Sequence, residues 1–223
     1  MDRVHAGLAK HGMAWFTKEQ TAGKGQRGKA WASEKGKNIA MSLVLEPDQL
    51  HMYAPFHLSA TIALTCFDFF SAYAGAETSI KWPNDLFWRD RKAGGILIEN
   101  ILLGKTWKWA VVGIGININQ TVFDPSLVRP VSLKEITGKQ FDIVELGRNL
   151  YRLLMKNLLE PVTIEKAMAQ YNAHLYKVNK NVTLKKEGAK FDTVIKEVTA
   201  QGRLITVDAI EREFDFGEVE WVL

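Results

Sequence analysis

The chain has 223 residues, 47% apolar and 24% charged, with a net charge of +4. These ordinary globular proportions provide for one large domain, or one domain plus a small appendage. The mild positive charge suits an anionic ligand but is too small to argue for nucleic acid, and the single cysteine, Cys66, excludes an intramolecular disulfide and a cysteine metal cluster.

In chain order, residues 1–12 read as the end of a helix, with Val4, Leu8 and His11 at helical spacing and Gly12 as its stop. Met13 to Lys18 is a short apolar strand. It leads into Gln20 and the stretch Thr21 to Trp31, which carries Gly23, Gly25 and Gly28, the cations Lys24, Arg27 and Lys29, the amide of Gln26, and one flat ring. Cations beside an amide and an indole suit a phosphate with an aromatic base attached. The spacing Gly-x-Gly-x-x-Gly invites a dinucleotide-binding reading, but that reading needs a helix opening after Gly28. The residues that follow, Lys29 to Lys37, are too short and glycine-interrupted for one, so a mobile anion-binding loop is expected.

Asn38 to Leu45 alternates as a strand, with Ile39, Met41, Leu43 and Leu45 on one face. Leu58 to Tyr73 predicts an amphipathic helix closed by Gly75, with Cys66 on its apolar stripe as a small core residue. Three close strand groups follow: Ile80-Lys81-Trp82 with Leu86 to Trp88, Gly95 to Leu103, and Trp107 to Asn119. Such tight meandering implies an antiparallel or mixed sheet. Gly113 and Gly115 inside the last strand mark a close approach. Residues 120–140 read as loop. Asp142 caps a helix to about Leu159, and Pro161 starts another to about His174. After Tyr176, short strands and turns describe a small all-β unit of about 45 residues, too small to stand comfortably alone and so expected to dock on the larger domain.

The strings Gln20 to Trp31, Lys81-Trp-Pro-Asn-Asp-Leu86, Lys92-Ala-Gly-Gly-Ile-Leu-Ile-Glu99 and Gly113-Ile-Gly-Ile-Asn117 together resemble the biotin protein ligases of the short kind without a DNA-binding domain. The resemblance covers most of residues 13–120, and Lys81 to Asp85 is its most specific part. It implies an α+β fold like that of class II aminoacyl-tRNA synthetases. In such a fold a mixed, mainly antiparallel central sheet is flanked by helices across residues 1–175, and an SH3-like barrel occupies residues 176–223. It implies ATP-dependent biotinylation of a lysine on a carboxyl carrier domain through biotinyl-5′-AMP. Lys81 and Arg27 carry catalysis in this reading. Gln20, Lys24, Gly25, Gln26 and Lys81 meet biotin, and Gly23, Lys24, Gly28, Trp31 and Asn117 meet the nucleotide. Mg²⁺ accompanies ATP on phosphates and water, with no protein metal ligands.

Two departures stand out. Gln26 replaces an arginine common in the family, and the family's upstream Ser-Thr-Asn segment is not found, so an N-terminal truncation relative to a complete ligase is expected. A lipoate–protein ligase and a non-catalytic biotin- or nucleotide-binding remnant are the alternatives. No nucleic acid, no membrane and a cytoplasmic location are expected. Exposed strands of the central sheet could support a homodimer.

Overall fold

The computed structural model describes residues 4, 6–50, 52, 54–160 and 162–223. The expected N-terminal helix end falls partly outside these residues, and residues 6–12, which are described, form turns and irregular chain and no helix. Within them Gly12, at φ +75°, turns the chain and donates its N–H to the Val44 carbonyl at 2.9 Å.

Six strands form the central sheet: β1 (Ala14–Phe16), β2 (Ile39–Leu45), β3 (Thr78–Lys81), β4 (Asp85–Trp88), β5 (Arg91–Leu103) and β6 (Thr106–Ile116), in the order β1-β2-β6-β5-β4-β3. The sheet was expected to be mixed and mainly antiparallel. Its named strands all pair antiparallel, and parallel pairing occurs only at isolated bridges such as Ile80 with Leu175. The short connections explain this: two- to three-residue turns join β3 to β4, β4 to β5 and β5 to β6, and such turns reverse the chain. Period-two alternation sends Ile39, Met41, Leu43 and Leu45 of β2, with Val112, Ile114 and Ile116 of β6, into one buried core.

Helix α1 (Pro55–Ala74) covers the core face, with Gly75 at φ +79° ending it. It is buried beyond a single stripe, from Leu58 through Thr61, Ile62, Thr65, Cys66 and Phe69 to Phe70, whereas Tyr73 is exposed and meets Phe69 and Phe141 edge-on. α1 packs against the sheet and against two later helices, and a helix with several packed faces loses the clean amphipathic pattern. Burial pushes the Cys66 thiol up to about 12, so it packs as a small apolar group and offers no thiolate.

A one-turn helix missed in the sequence, α2 (Leu133–Thr137), interrupts the 120–140 loop. Ser132 and Glu135 form a reciprocal capping box. The Ser132 hydroxyl accepts from the Glu135 N–H at 3.2 Å, and the Glu135 carboxylate accepts from the Ser132 N–H at 3.0 Å. Helix α3 (Ile143–Leu159) begins at the expected Asp142 cap. Helix α4 (Ile164–Ala173) is capped by Thr163; the expected start at Pro161 lies outside the described residues.

The C-terminal unit contains β7 (Asn181–Lys186), β8 (Ala189–Val198), β9 (Leu204–Val207), β10 (Glu211–Phe214) and β11 (Glu220–Trp221), ordered β10-β9-β8-β7-β11. β10 and β11 are its two edges, so the expected SH3-like barrel appears as an open five-stranded antiparallel sheet. The unit docks through specific polar bonds. Asn172 donates to the Val198 carbonyl at 2.9 Å and accepts from the Val198 N–H at 2.8 Å, and the Trp82 indole donates to the Gly202 carbonyl at 2.9 Å.

Ser132 is fully buried, so Ser132→Ala removes a capping acceptor that water cannot replace. It is expected to lower unfolding stability by about 1–2 kcal/mol in urea titration, with the denaturant slope unchanged.

Candidate active site

The sheet face opposite α1 carries the site. On β6 the alternation places Gly113 and Gly115 opposite the core residues Val112, Ile114 and Ile116, and Gly95 of β5 lies beside Gly115 in register. The result is a strip of sheet surface without side chains. A cleft of about 940 Å³ lies over it, walled by residues 20–32, the β3–β4 turn, residues 123–130 and the C-terminal segment from Phe216.

Residues 21–31 close on themselves as a folded hairpin. Gly25 N donates to Lys29 O at 2.7 Å, Trp31 N to Gly23 O at 2.9 Å, and a 3-10 turn spans Gln26–Gly28. No helix opens after Gly28, as the residue pattern required. Gln20, Lys24, Gly25, Gln26, Arg27 and Trp31 line the cleft, as do Lys81 and Asn117. Gly23 and Gly28 do not line it. Gly23 allows the hairpin to shut, since a Cβ there would meet the Trp31 carbonyl oxygen.

Trp31 lies against the glycine strip. A Cβ at Gly115 would sit within 2.7 Å of three indole atoms, and one at Gly95 would sit 3.2 Å from the ring. Glycine at these positions therefore makes room for an aromatic ring. Arg27, in the left-handed region at φ +55°, reaches across to the C-terminal unit, where its guanidinium carbon is 3.2 Å from the place a Gly217 side chain would occupy. Asn117 is 5% exposed and its amide nitrogen is committed to backbone, donating to Val131 O at 3.1 Å and Lys92 O at 3.4 Å. It holds the 130s loop against β5, a structural duty that the sequence did not reveal.

Lys81 is 8% exposed. It ends β3, directly across the turn from Asp85, its register partner, and the two side chains stand 4.0 Å apart. Asp85 also accepts from Lys92 at 2.6 Å. Burial pulls Lys81 down to about 8; Lys92 and Lys29 push the same way, and Asp85 opposes them. Five cationic residues line the cleft, Lys24, Arg27, Lys29, Lys81 and Lys92, against the acidic residues Asp85 and Glu220, the second of which pairs its carboxylate with Lys185. Such a concave excess of positive charge concentrates anions. The sequence reading assigned no role to Asp85 or Lys92. Their opposition to Lys81 could have been found by treating Lys81-Trp-Pro-Asn-Asp85 as a hairpin turn, which puts its two ends face to face. No local signal pointed to the 216–223 segment.

The protein-family model described as the biotin/lipoate A/B protein ligase family matches residues 3–117, just over half of the chain. The chain belongs to this family. A biotin–[acetyl-CoA-carboxylase] ligase of Paracoccus denitrificans is 37% identical over 138 residues, covering 59% of this chain and 57% of that protein. A bifunctional ligase/repressor BirA of Bacillus spizizenii is 35% identical over 137 residues, covering 60% of this chain and 42% of its own. The chain thus spans about half the length of these curated relatives. Among solved structures, a biotin protein ligase from Aquifex aeolicus in complex with biotin and ATP superposes with a TM-score of 0.80 at 25% identity, covering 95% of this chain and 89% of that one.

Gly115→Ala places a methyl inside the Trp31 ring and is expected to drive the indole off the strip. In 5-fluorotryptophan-labelled protein, the fluorine resonance that Trp31→Phe removes should move toward the solvent-exposed position, while the other tryptophan signals stay in place.

Proposed function

We propose that this protein joins biotin to a lysine of a biotin-acceptor domain at the expense of ATP. The observation that carries the reading is Lys81. It is a nearly buried ammonium at the end of a strand, in a cleft with excess positive charge, on a chain whose relatives include a biotin–[acetyl-CoA-carboxylase] ligase and whose fold matches an enzyme complexed with biotin and ATP.

In the first step a carboxylate oxygen of biotin attacks the α-phosphorus of ATP, and pyrophosphate leaves. Two anions must approach each other, and Lys81 offsets their repulsion and the charge that builds on the transferring group. Lys24 and Arg27, on the folded hairpin, pair with phosphates; to do so Arg27 leaves its place beside Gly217. Lys92, held by Asp85, adds a second fixed charge beside Trp31, whose ring it approaches at 5.8 Å. Trp31 offers a ring for adenine, Gln20 an amide for the ureido group, and Gly25 and Gln26 backbone and amide contacts to biotin. Among the described residues no cluster of three His, Cys, Asp or Glu side chains is placed to hold a metal, so Mg²⁺ would accompany ATP as part of the substrate and would offset phosphate charge there. In the second step the neutral amine of the acceptor lysine attacks the acyl carbon, AMP leaves, and the amine proton passes to solvent. Keeping water from the anhydride is the task of the loop and of the C-terminal wall. We read residues 1–175 as the catalytic domain and 176–223 as its SH3-like appendage, in a cytoplasmic enzyme. The carboxyl carrier domain of a carboxylase is its partner. Since the family name also includes lipoate ligases, lipoate is the competing acid, and parallel assays with each vitamin separate the two.

Biotin transfer to a carboxyl carrier domain, followed by streptavidin blot, tests the reading. Lys81→Ala is expected to lose about 10²–10³ in rate, and equal labelling by both proteins would refute the role of Lys81. The pH dependence has a defined sign. Lys81 acts as a cation, and its proton leaves near pH 8 in the free protein. kcat/KM for biotin-dependent ATP–pyrophosphate exchange should therefore be insensitive to this group below pH 8 and fall as pH rises through it.

A further inference from the structure

The wall over Lys81 comes from the far end of the chain. β11 pairs with β7, Trp221 opposite Leu184, and Val222 N donates to Thr183 O at 3.1 Å. This registers the indole of Trp221 with its ring centre 5.1 Å from Lys81 Nζ. The ring of Phe87, on β4, stands 5.3 Å from the same nitrogen. Tyr176 braces both, 5.5 Å from Trp221 and 5.0 Å from Phe87, and its hydroxyl donates to Asp90 at 2.7 Å. Lys81 is thus gripped between an aromatic face belonging to the central sheet and one belonging to the C-terminal unit.

We propose that Trp221 is the positioning residue for Lys81: with Phe87 it forms an aromatic clamp that keeps the ammonium aimed into the cleft, so that the C-terminal unit sets the competence of the adenylation step. The proposal rests on the reading of Lys81 as the adenylating cation. Two ring faces attract an ammonium through their quadrupoles, and they do so most strongly where water is excluded. They also restrict a long, flexible side chain that would otherwise sample many rotamers. The charged groups that share the space are Asp85 on β4, Lys92 on β5 and Lys29 on the glycine hairpin, with the buried phenol of Tyr171 near Asp85. Glu220, the neighbour of Trp221, faces Lys185 at 3.9 Å. None of these groups replaces the ring of Trp221, which is the C-terminal unit's aromatic ring over the Lys81 ammonium among the described residues.

The test follows the titration of Lys81 itself in full-length protein carrying ¹³C-labelled lysine, its Cε resonance assigned by its loss in Lys81→Arg. The wild type should titrate near 8. Trp221→Ala opens the site to water, and the titration should move up by about one unit. Trp221→Leu keeps the apolar cover but loses the ring, and the titration should move down by about half a unit. Trp221→Phe restores a ring and should return it near the wild-type position. The falling limb of kcat/KM for pyrophosphate exchange should follow each shift. Should Trp221→Ala fail to fold, the contrast between a lowered titration in the Leu variant and a wild-type titration in the Phe variant decides the matter. Wild-type titration in both the Ala and Leu variants, or in Leu alone where Ala does not fold, overturns the clamp. If the titrations shift as stated but no variant nor the wild type exchanges pyrophosphate with biotin present, the clamp stands and the proposed activity falls.

Discussion

A single ammonium, largely withdrawn from water, sets the terms for the rest of the site. Desolvation works against the charge on Lys81, and the nearby Lys92 and Lys29 add to the strain. Asp85 counteracts them, but it stands 4.0 Å from Lys81 and bonds closely to Lys92 at 2.6 Å. Lys81 is therefore under-compensated, and an arriving anion completes what the protein leaves unfinished. A fully paired lysine would have to break a bond before meeting a phosphate. One left open to water would have its attraction screened.

The backbone meets this constraint with a sheet whose named strands all pair antiparallel. A tight β3–β4 turn sets Lys81 opposite Asp85, and the return along β5 delivers Lys92 to the same carboxylate. β6 then supplies the glycine strip, on which Trp31 can lie only because Gly115 and Gly95 have no side chains. The helices bury the other face; α2, α3 and α4 begin at side-chain caps from Ser132, Asp142 and Thr163, whereas α1 follows Ala54 with no side-chain cap. Stability and chemistry are segregated to opposite faces of one sheet.

Much of this was legible from the residues. The β2 alternation, the Asp142 cap, the Gly75 stop and the absence of a helix after Gly28 follow from local rules. The strings around Lys81 and Gly113 marked one wall and the floor of the cleft. What escaped reading was non-local or ambiguous. α1 is apolar around most of its girth because helices cover it as well as the sheet. Ser132-x-x-Glu135 was readable as a capping box but lay in a stretch dominated by prolines and polar residues. Asn117 was read for a ligand, whereas its amide nitrogen is occupied with the backbone at Lys92 and Val131. The two-residue strand β11 carries no periodicity, and nothing near Trp221 in sequence announces Lys81.

That last separation bears on how the protein acquires its site. Residues 81 and 221 are 140 positions apart, and contacts so distant along the chain carry a large loop-closure entropy and tend to form late. The glycine strip and the Lys81–Asp85 turn belong to short hairpins that can form early. The remaining wall must wait for the C-terminal unit to dock through Asn172 and Trp82. A chain folded only through its central sheet would hold its lysine solvated and unclamped, with an unshielded cleft. An opening that releases the docking bonds of Asn172 and Trp82 therefore also removes the C-terminal wall of the site.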